Sequence, residues 1–154
     1  MNYHGLDMHT NADSHEEVRR LFQAHVPEVA SGAVEIMGIA RAPGTRIIVT
    51  VRSKDERVDP VGVCIGERGA RIKTILRNLS GEKIDVVRWS DSLKPLLVNL
   101  LYPALIDDIL VHETARRVVI FCDFDNKKLM TGVNGLKIKM VSELVGWELQ
   151  VETG

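Results

Sequence analysis

The sequence predicts an α+β protein built from two copies of one unit, each with the element order α-β-β-α-α-β and a three-stranded sheet covered by helices. Two observations lead to this prediction. The segment Gly66-Glu67-Arg68-Gly69 recurs 66 residues later as Gly132-Val133-Asn134-Gly135. Helix and strand patterns then follow in the same order around both copies. Repetition in a fixed order indicates a duplicated structural unit.

Length and composition are consistent with two small domains, because 45% of the 154 residues are hydrophobic. We predict a polar, disordered segment at residues 1–14, a first domain at 15–90 and a second at 91–154. Apolar runs are too short to span a membrane, and the two cysteines lack the spacing of a metal site. We therefore expect a cytoplasmic monomer with no membrane contact, no metal and no cofactor.

The first unit is predicted to open with a helix followed by a β-hairpin. Ser14 and Glu17 form a capping-box pattern that starts the helix, and Pro27 ends it. Two segments rich in Val, Ile and Thr follow, separated by a Pro-Gly pair that suits a type II turn. The predicted strands are 33–41 and 46–53, joined at Ala42-Pro43-Gly44-Thr45.

Two helices and a strand complete the first unit. Asp59 is a helix cap, and Pro60 suits the first position of the short helix that follows. After the Gly-x-x-Gly loop, apolar residues recur at helical spacing until Gly81 ends the second helix. These are Ile72, Ile75, Leu76 and Leu79, and the closing strand is predicted at 83–89.

The second unit repeats this order. Asp91 or Ser92 caps its first helix, and Asp125 caps the short helix before Gly132. The same patterns predict a hairpin at 108–113 and 117–122, a helix lined by Ile138, Val141, Leu144 and Val145, and a closing strand at 147–152.

A Gly-x-x-Gly loop between two helices is the feature with which KH domains hold single-stranded RNA. Glycines let the backbone approach a sugar-phosphate chain, and the next helix offers N-terminal N–H groups. Arg68 adds a cation for phosphate, while Glu67 is expected to face solvent or to pair with Arg71. The candidate RNA-binding residues are Gly66, Glu67, Arg68, Gly69, Arg71, Ile72 and Lys73 in the first unit and Gly132, Val133, Asn134, Gly135, Lys137 and Lys139 in the second.

Several segments resemble the tandem KH region of the NusA family of transcription factors, namely 26–36, 40–46, 58–62 and 81–85, together with Trp89-Ser90. The resemblance implies two type II, or prokaryotic, KH domains that bind extended single-stranded RNA during transcriptional pausing, termination and antitermination. It also implies RNA polymerase or other transcription factors as candidate partners. The second loop departs from the family because Val133 and Asn134 stand where a basic residue is usual.

Charge leaves a second hypothesis open. The net charge is −1, and by segment it is −2 for residues 1–14, +3 for 15–90 and −2 for 91–154. RNA affinity should therefore rest on the first unit. Alternatively, the pair is a degenerate KH module that mainly binds proteins through acidic surface near Asp107, Asp108, Asp123 and Asp125. Because the five histidines form no ligand set or catalytic triad, we do not expect an enzyme.

Overall fold

The computed structural model describes the backbone of residues 3–154 and the side chains of residues 13–154. The chain divides into two compact units, residues 1–89 and 90–154. Each unit contains one three-stranded sheet with helices packed on it, so the predicted α+β class is confirmed.

The first unit has the predicted element order with one extra helical turn. Its elements are α1 (Tyr3–His25), α2 (Pro27–Ala30), β1 (Val34–Ala42), β2 (Arg46–Ser53), α3 (Pro60–Ile65), α4 (Ala70–Arg77) and β3 (Lys83–Arg88). Strand β2 lies in the centre of the sheet, antiparallel to β1 and parallel to β3. The predicted type II turn is present, since Gly44 has φ +79° and the Thr45 N–H donates to the Ala42 carbonyl at 3.0 Å.

The core of the first unit lies between α1, α3, α4 and one face of the sheet. Phe22 from α1 and Val49 from β2 are fully buried in it, and Ile75 reaches it from α4. Burying a side chain of this size stabilises the fold by about 2 to 3 kcal/mol. This core fixes the helices that begin and end at the first loop.

Two helix boundaries differ from the sequence prediction. Helix α1 begins at Tyr3 rather than Ser14, so the backbone of residues 3–14 is helical where we expected disorder. Adding turns to an existing helix costs less than nucleating one, and a polar segment can therefore continue it. Met1 and Asn2 lie outside the described residues. Helix α4 ends at Arg77, where the Asn78 side chain donates to a carbonyl of the last turn, well before Gly81.

The second unit repeats the architecture of the first. Its elements are α5 (Leu93–Leu101), β4 (Asp108–His112), β5 (Arg117–Cys122), α6 (Phe124–Thr131), α7 (Leu136–Val145) and β6 (Glu148–Thr153). Strand β5 is central, antiparallel to β4 and parallel to β6. The predicted cap of α6 was wrong by two residues, because Asp123 and not Asp125 accepts the Asn126 N–H, at 2.8 Å.

Candidate nucleic-acid interface

The first Gly-x-x-Gly loop is a tight reversal between α3 and α4. Asp59 starts α3 by accepting the Val61 N–H at 3.2 Å, as predicted, and Gly66 ends it with φ 78° and ψ 169°. Arg68 (φ 56°, ψ 26°) and Gly69 (φ 75°, ψ 17°) are both left-handed. The Gly69 N–H donates to the Gly66 carbonyl at 3.0 Å, which closes the turn.

The second loop has the same backbone with different side chains. Gly132 has φ 72° and ψ −177°, Asn134 has φ 56° and ψ 27°, and Gly135 has φ 71° and ψ 15°. The Gly135 N–H donates to the Gly132 carbonyl at 3.3 Å. Because the two loops agree within about 15° at each of these residues while sharing only their glycines, the glycines set the loop shape and the residues between them set its charge.

The two glycines of each loop are required for different reasons. A Cβ atom on Gly66 would lie 2.8 Å from the Arg71 Cγ and 2.9 Å from its backbone N, and one on Gly132 would lie 2.9 Å from the Lys137 Cβ. A Cβ atom on Gly69 would meet nothing closer than 3.6 Å, and one on Gly135 would meet nothing within 4 Å. The first glycine therefore allows close packing within the protein, whereas a Cβ atom at the second would make ordinary van der Waals contact with Lys73 and Ile72 in the first loop and no contact in the second.

Two cations that we predicted to assist phosphate binding are bound within the protein. The Arg71 Nη1 donates to the Glu28 Oε1 at 2.9 Å and to the Val63 carbonyl at 2.7 Å, so the guanidinium links α2, α3 and α4. At the equivalent position of the second unit, Lys137 is only 8% exposed and its Nζ donates to the Tyr102 carbonyl at 3.3 Å. Both residues thus brace the helix that follows the loop.

The remaining candidates divide into exposed loop residues and half-buried apolar ones. Glu67, Arg68 and Lys73 are exposed in the first unit, as are Val133, Asn134 and Lys139 in the second. Glu67 does not pair with Arg71, which is bound to Glu28. Ile72 packs partly against the first core, where it can form one wall of a site beside the loop. Val133 is 82% exposed, so its side chain has no packing role.

The surroundings of Cys64, beside the first loop, do not favour a reactive thiol. Burial raises the pKa of the Cys64 thiol to about 11, and the negative charge of Glu28 adds to the effect, so this thiol stays protonated at neutral pH. Cys122 is also buried and free.

Within residues 13–154, no group of three or more His, Cys, Asp or Glu side chains could hold a metal ion. In the described part of the chain, no helix is both long and apolar enough to cross a membrane.

Comparison with known families identifies the first unit directly. A family model described as the NusA-like first KH domain matches residues 12–89. The transcription termination/antitermination protein NusA of Rickettsia conorii is 36% identical over 137 residues, and that of Bacillus subtilis is 35% identical over 136 residues. These alignments cover 87% and 88% of this chain but only 27% and 37% of the two relatives.

The similarity also extends over the second unit, because an alignment of 137 residues is longer than the first unit alone. A solved structure, titled "Crystal structure of APE1850", superposes with a TM-score of 0.64 at 26% sequence identity. The match covers 88% of this chain and 95% of the solved one. The whole two-unit arrangement along the sequence therefore has counterparts in known proteins.

Proposed function

Since the chain belongs to the NusA-like KH domain family, we propose that it is the single-stranded RNA-binding module of a transcription elongation, termination and antitermination factor. The chain spans 27% of the length of the Rickettsia conorii relative and 37% of that of the Bacillus subtilis relative. The module would work in the cytoplasm as part of a larger assembly. That assembly would contact RNA polymerase or other transcription factors. Its own role is to bind RNA without catalysis.

The observation that carries this proposal is the exposed Arg68 in a closed Gly-x-x-Gly turn. Arg68 lies between Gly66 and Gly69 with a left-handed backbone, and its side chain is exposed. An arginine offers five donors and a permanent charge, which suits it to phosphate oxygens. Because Gly69 has no Cβ, a sugar-phosphate chain can approach the same backbone closely.

The second loop would contribute less to RNA binding than the first. Asn134 occupies the position of Arg68 with the same left-handed backbone but has no charge. Since Lys137 is buried, Lys139 is the exposed cation that follows this loop most closely. We propose that the first unit supplies most of the phosphate attraction and that the second loop contributes backbone contacts.

Gly69→Asp tests this function. A carboxylate in the loop repels phosphate, and its Cβ obstructs close approach to the Gly69 backbone, so affinity for short single-stranded RNA should fall to near the limit of detection. Gly32→Asp is the matched control: its φ is +85°, against +75° at Gly69, and no atom lies within 4 Å of a Cβ there. Each substitution should cost about 1 kcal/mol of backbone strain.

We would measure RNA binding by fluorescence anisotropy and folding by thermal melts for the parent and both variants. The proposal predicts similar melting temperatures for the two variants and loss of RNA binding only for Gly69→Asp. Equal RNA affinity of Gly69→Asp and Gly32→Asp, with normal melting, would remove the loop from the binding site.

A further inference from the structure

The two units differ in the large hydrophobic side chains that they leave in solvent. In the described part of the chain, every large hydrophobic side chain that is exposed lies between residues 98 and 133 of the second unit. Val133, in the second Gly-x-x-Gly loop, is the most exposed of them at 82%, and the next three are Tyr102 at 76%, Leu105 at 71% and Phe124 at 64%. We refer to these three residues as the apolar patch.

Two hydrogen bonds tie the segment that carries Tyr102 and Leu105 to the helices α7 and α6. Tyr102 and Leu105 belong to the segment after α5, and that segment is held at both ends. The Tyr102 carbonyl accepts from the Lys137 Nζ at 3.3 Å, and the Leu105 N–H donates to the Asn126 Oδ1 at 2.8 Å. Asn126 lies in the first turn of α6, which begins at Phe124. Leu105 therefore lies against the helix start that carries Phe124.

Four exposed carboxylates lie in the same two segments as Leu105 and Phe124. Asp107 and Asp108 follow Leu105 along the chain, and β4 pairs Asp108 with Phe121 at the end of β5. Asp123 and Asp125 flank Phe124, so the acidic groups from both segments meet at one end of the sheet. Hydrogen bonds from Asn126 lower the pKa of Asp123, which keeps this carboxylate ionised. We call Asp107, Asp108, Asp123 and Asp125 the acidic rim.

Three lysines reduce this negative charge without reversing it: Lys127 and Lys128 on α6, and Lys137, which donates to the Tyr102 carbonyl. Lys128 lies over the Phe124 ring, with its Nζ 4.7 Å from the ring centroid, and Lys127 precedes it on the same helix. With four carboxylates and three ammonium groups, the local charge stays negative. An apolar patch beside an acidic rim repels a phosphate backbone and attracts basic protein surface.

We propose that the apolar patch and the acidic rim form a docking site for a protein partner that presents an aromatic or aliphatic side chain flanked by Lys or Arg. Tyr102 and Phe124 are the residue types that contribute most to protein interfaces when they are covered. The carboxylates of the rim then pair with the basic residues of the partner. This site lies in the second unit and uses none of the residues Gly66–Gly69.

The test selects short peptides from a random display library on the immobilised full chain and then titrates the synthesised peptides. The patch variant is the double substitution Leu105→Ser with Phe124→Ser. Leu110→Ser is the matched control, because Leu110 is a half-exposed apolar residue of the same unit, 48% exposed, on β4. Thermal melts and an RNA titration are run on all three proteins.

The proposal predicts enriched peptides with Lys or Arg around an apolar residue, whose affinity falls about tenfold or more in the patch variant and stays unchanged in Leu110→Ser. RNA affinity should be equal in all three proteins. Three outcomes would overturn it: no peptide enriched or only acidic ones, equal peptide binding by the patch variant, or loss of RNA binding in the patch variant. Concentration-dependent self-association that the double substitution abolishes would also overturn it, because a second copy would then occupy the face.

Discussion

The Arg41 Nε donates to the Glu82 Oε2 at 2.6 Å, joining the end of β1 to the segment before β3. Both side chains are buried, with 8% and 0% exposed. The Arg41 Nη1 also donates to the Glu17 Oε1 at 2.7 Å and to the Ser14 carbonyl at 3.0 Å. One guanidinium therefore ties α1 to the sheet of the first unit.

The first prediction concerns the acid stability of this ion pair. The hydrogen bond from Arg41 lowers the pKa of the Glu82 carboxyl, and N–H groups of Gly44 and Ser80 add to the effect, although burial opposes it. A lowered pKa stabilises the fold fully above the pKa of the unfolded chain, about 4.3 for Glu, and this stability is lost as pH falls through the lower folded value. Melting temperature should thus decrease below about pH 4, and Glu82→Gln should make this decrease smaller. An equally steep decrease in the variant would assign acid sensitivity to other groups.

The second prediction compares a buried and a partly exposed ion pair of the first unit at neutral pH. Glu82→Gln removes one buried charge and should cost about 3 kcal/mol of unfolding free energy. Asp85→Asn breaks the pair between Asp85 and Arg46, 3.0 Å apart with side chains 42% and 29% exposed, and should cost at most about 1 kcal/mol. Denaturant titrations measure both. Equal losses would mean that burial does not set the strength of the Arg41–Glu82 pair.

The third prediction separates bracing from phosphate contact at Arg71. Arg71→Met removes the hydrogen bonds to Glu28 and to the Val63 carbonyl, and should cost about 1 to 2 kcal/mol of unfolding free energy. Lys73→Met, at an exposed position of the same helix, should cost little. In RNA titrations at several salt concentrations, Arg71→Met should keep the parental salt slope. A slope shallower by about 0.7 would show that Arg71 contacts a phosphate, as the sequence predicted.

The fourth prediction adds a cation to the second loop. Asn134→Arg places a guanidinium on the backbone that carries Arg68 in the first loop, since φ is 56° at both residues. RNA affinity should rise and the salt slope should steepen by about 0.7. Asn tolerates the left-handed region better than Arg, so a small decrease in melting temperature is expected. Asn134→Gln controls for that decrease without adding charge. Equal affinity of the two variants would mean that RNA does not pass over the second loop.

Local chemistry explains which features the sequence predicted. The Asp59 cap, the turn at Gly44 and both Gly-x-x-Gly loops depend on residues within a few positions of one another, and each is present. The prediction that Asp125 caps α6 was wrong for a local reason too. Asp123 and Asp125 are both good capping residues, and the point at which β5 ends determines which of them starts the helix.

Long-range contacts explain what the sequence could not predict. Arg71 looks like a phosphate ligand by position, but its partner Glu28 lies 43 residues away on α2. The same holds for Lys137, whose partner Tyr102 lies 35 residues away, and for the Arg41–Glu82 pair. No local spacing indicates such pairs. The repeat itself contained one signal that these two residues share a structural role. Arg71 and Lys137 occupy equivalent positions after the first glycine of each loop.

The central claim is that Arg68 binds phosphate, and the salt dependence of RNA affinity for Arg68→Gln tests it most directly. Glutamine keeps the left-handed backbone no worse than arginine, and it removes the charge and the five-donor guanidinium while keeping a polar side chain. Arg20→Gln is the control, because Arg20 is 70% exposed on α1 of the same unit and carries the same charge. We predict weaker binding for Arg68→Gln with a salt slope shallower by about 0.7, and an unchanged slope for Arg20→Gln. An Arg68→Gln protein that melts normally and binds single-stranded RNA with the parental affinity and slope would contradict the account.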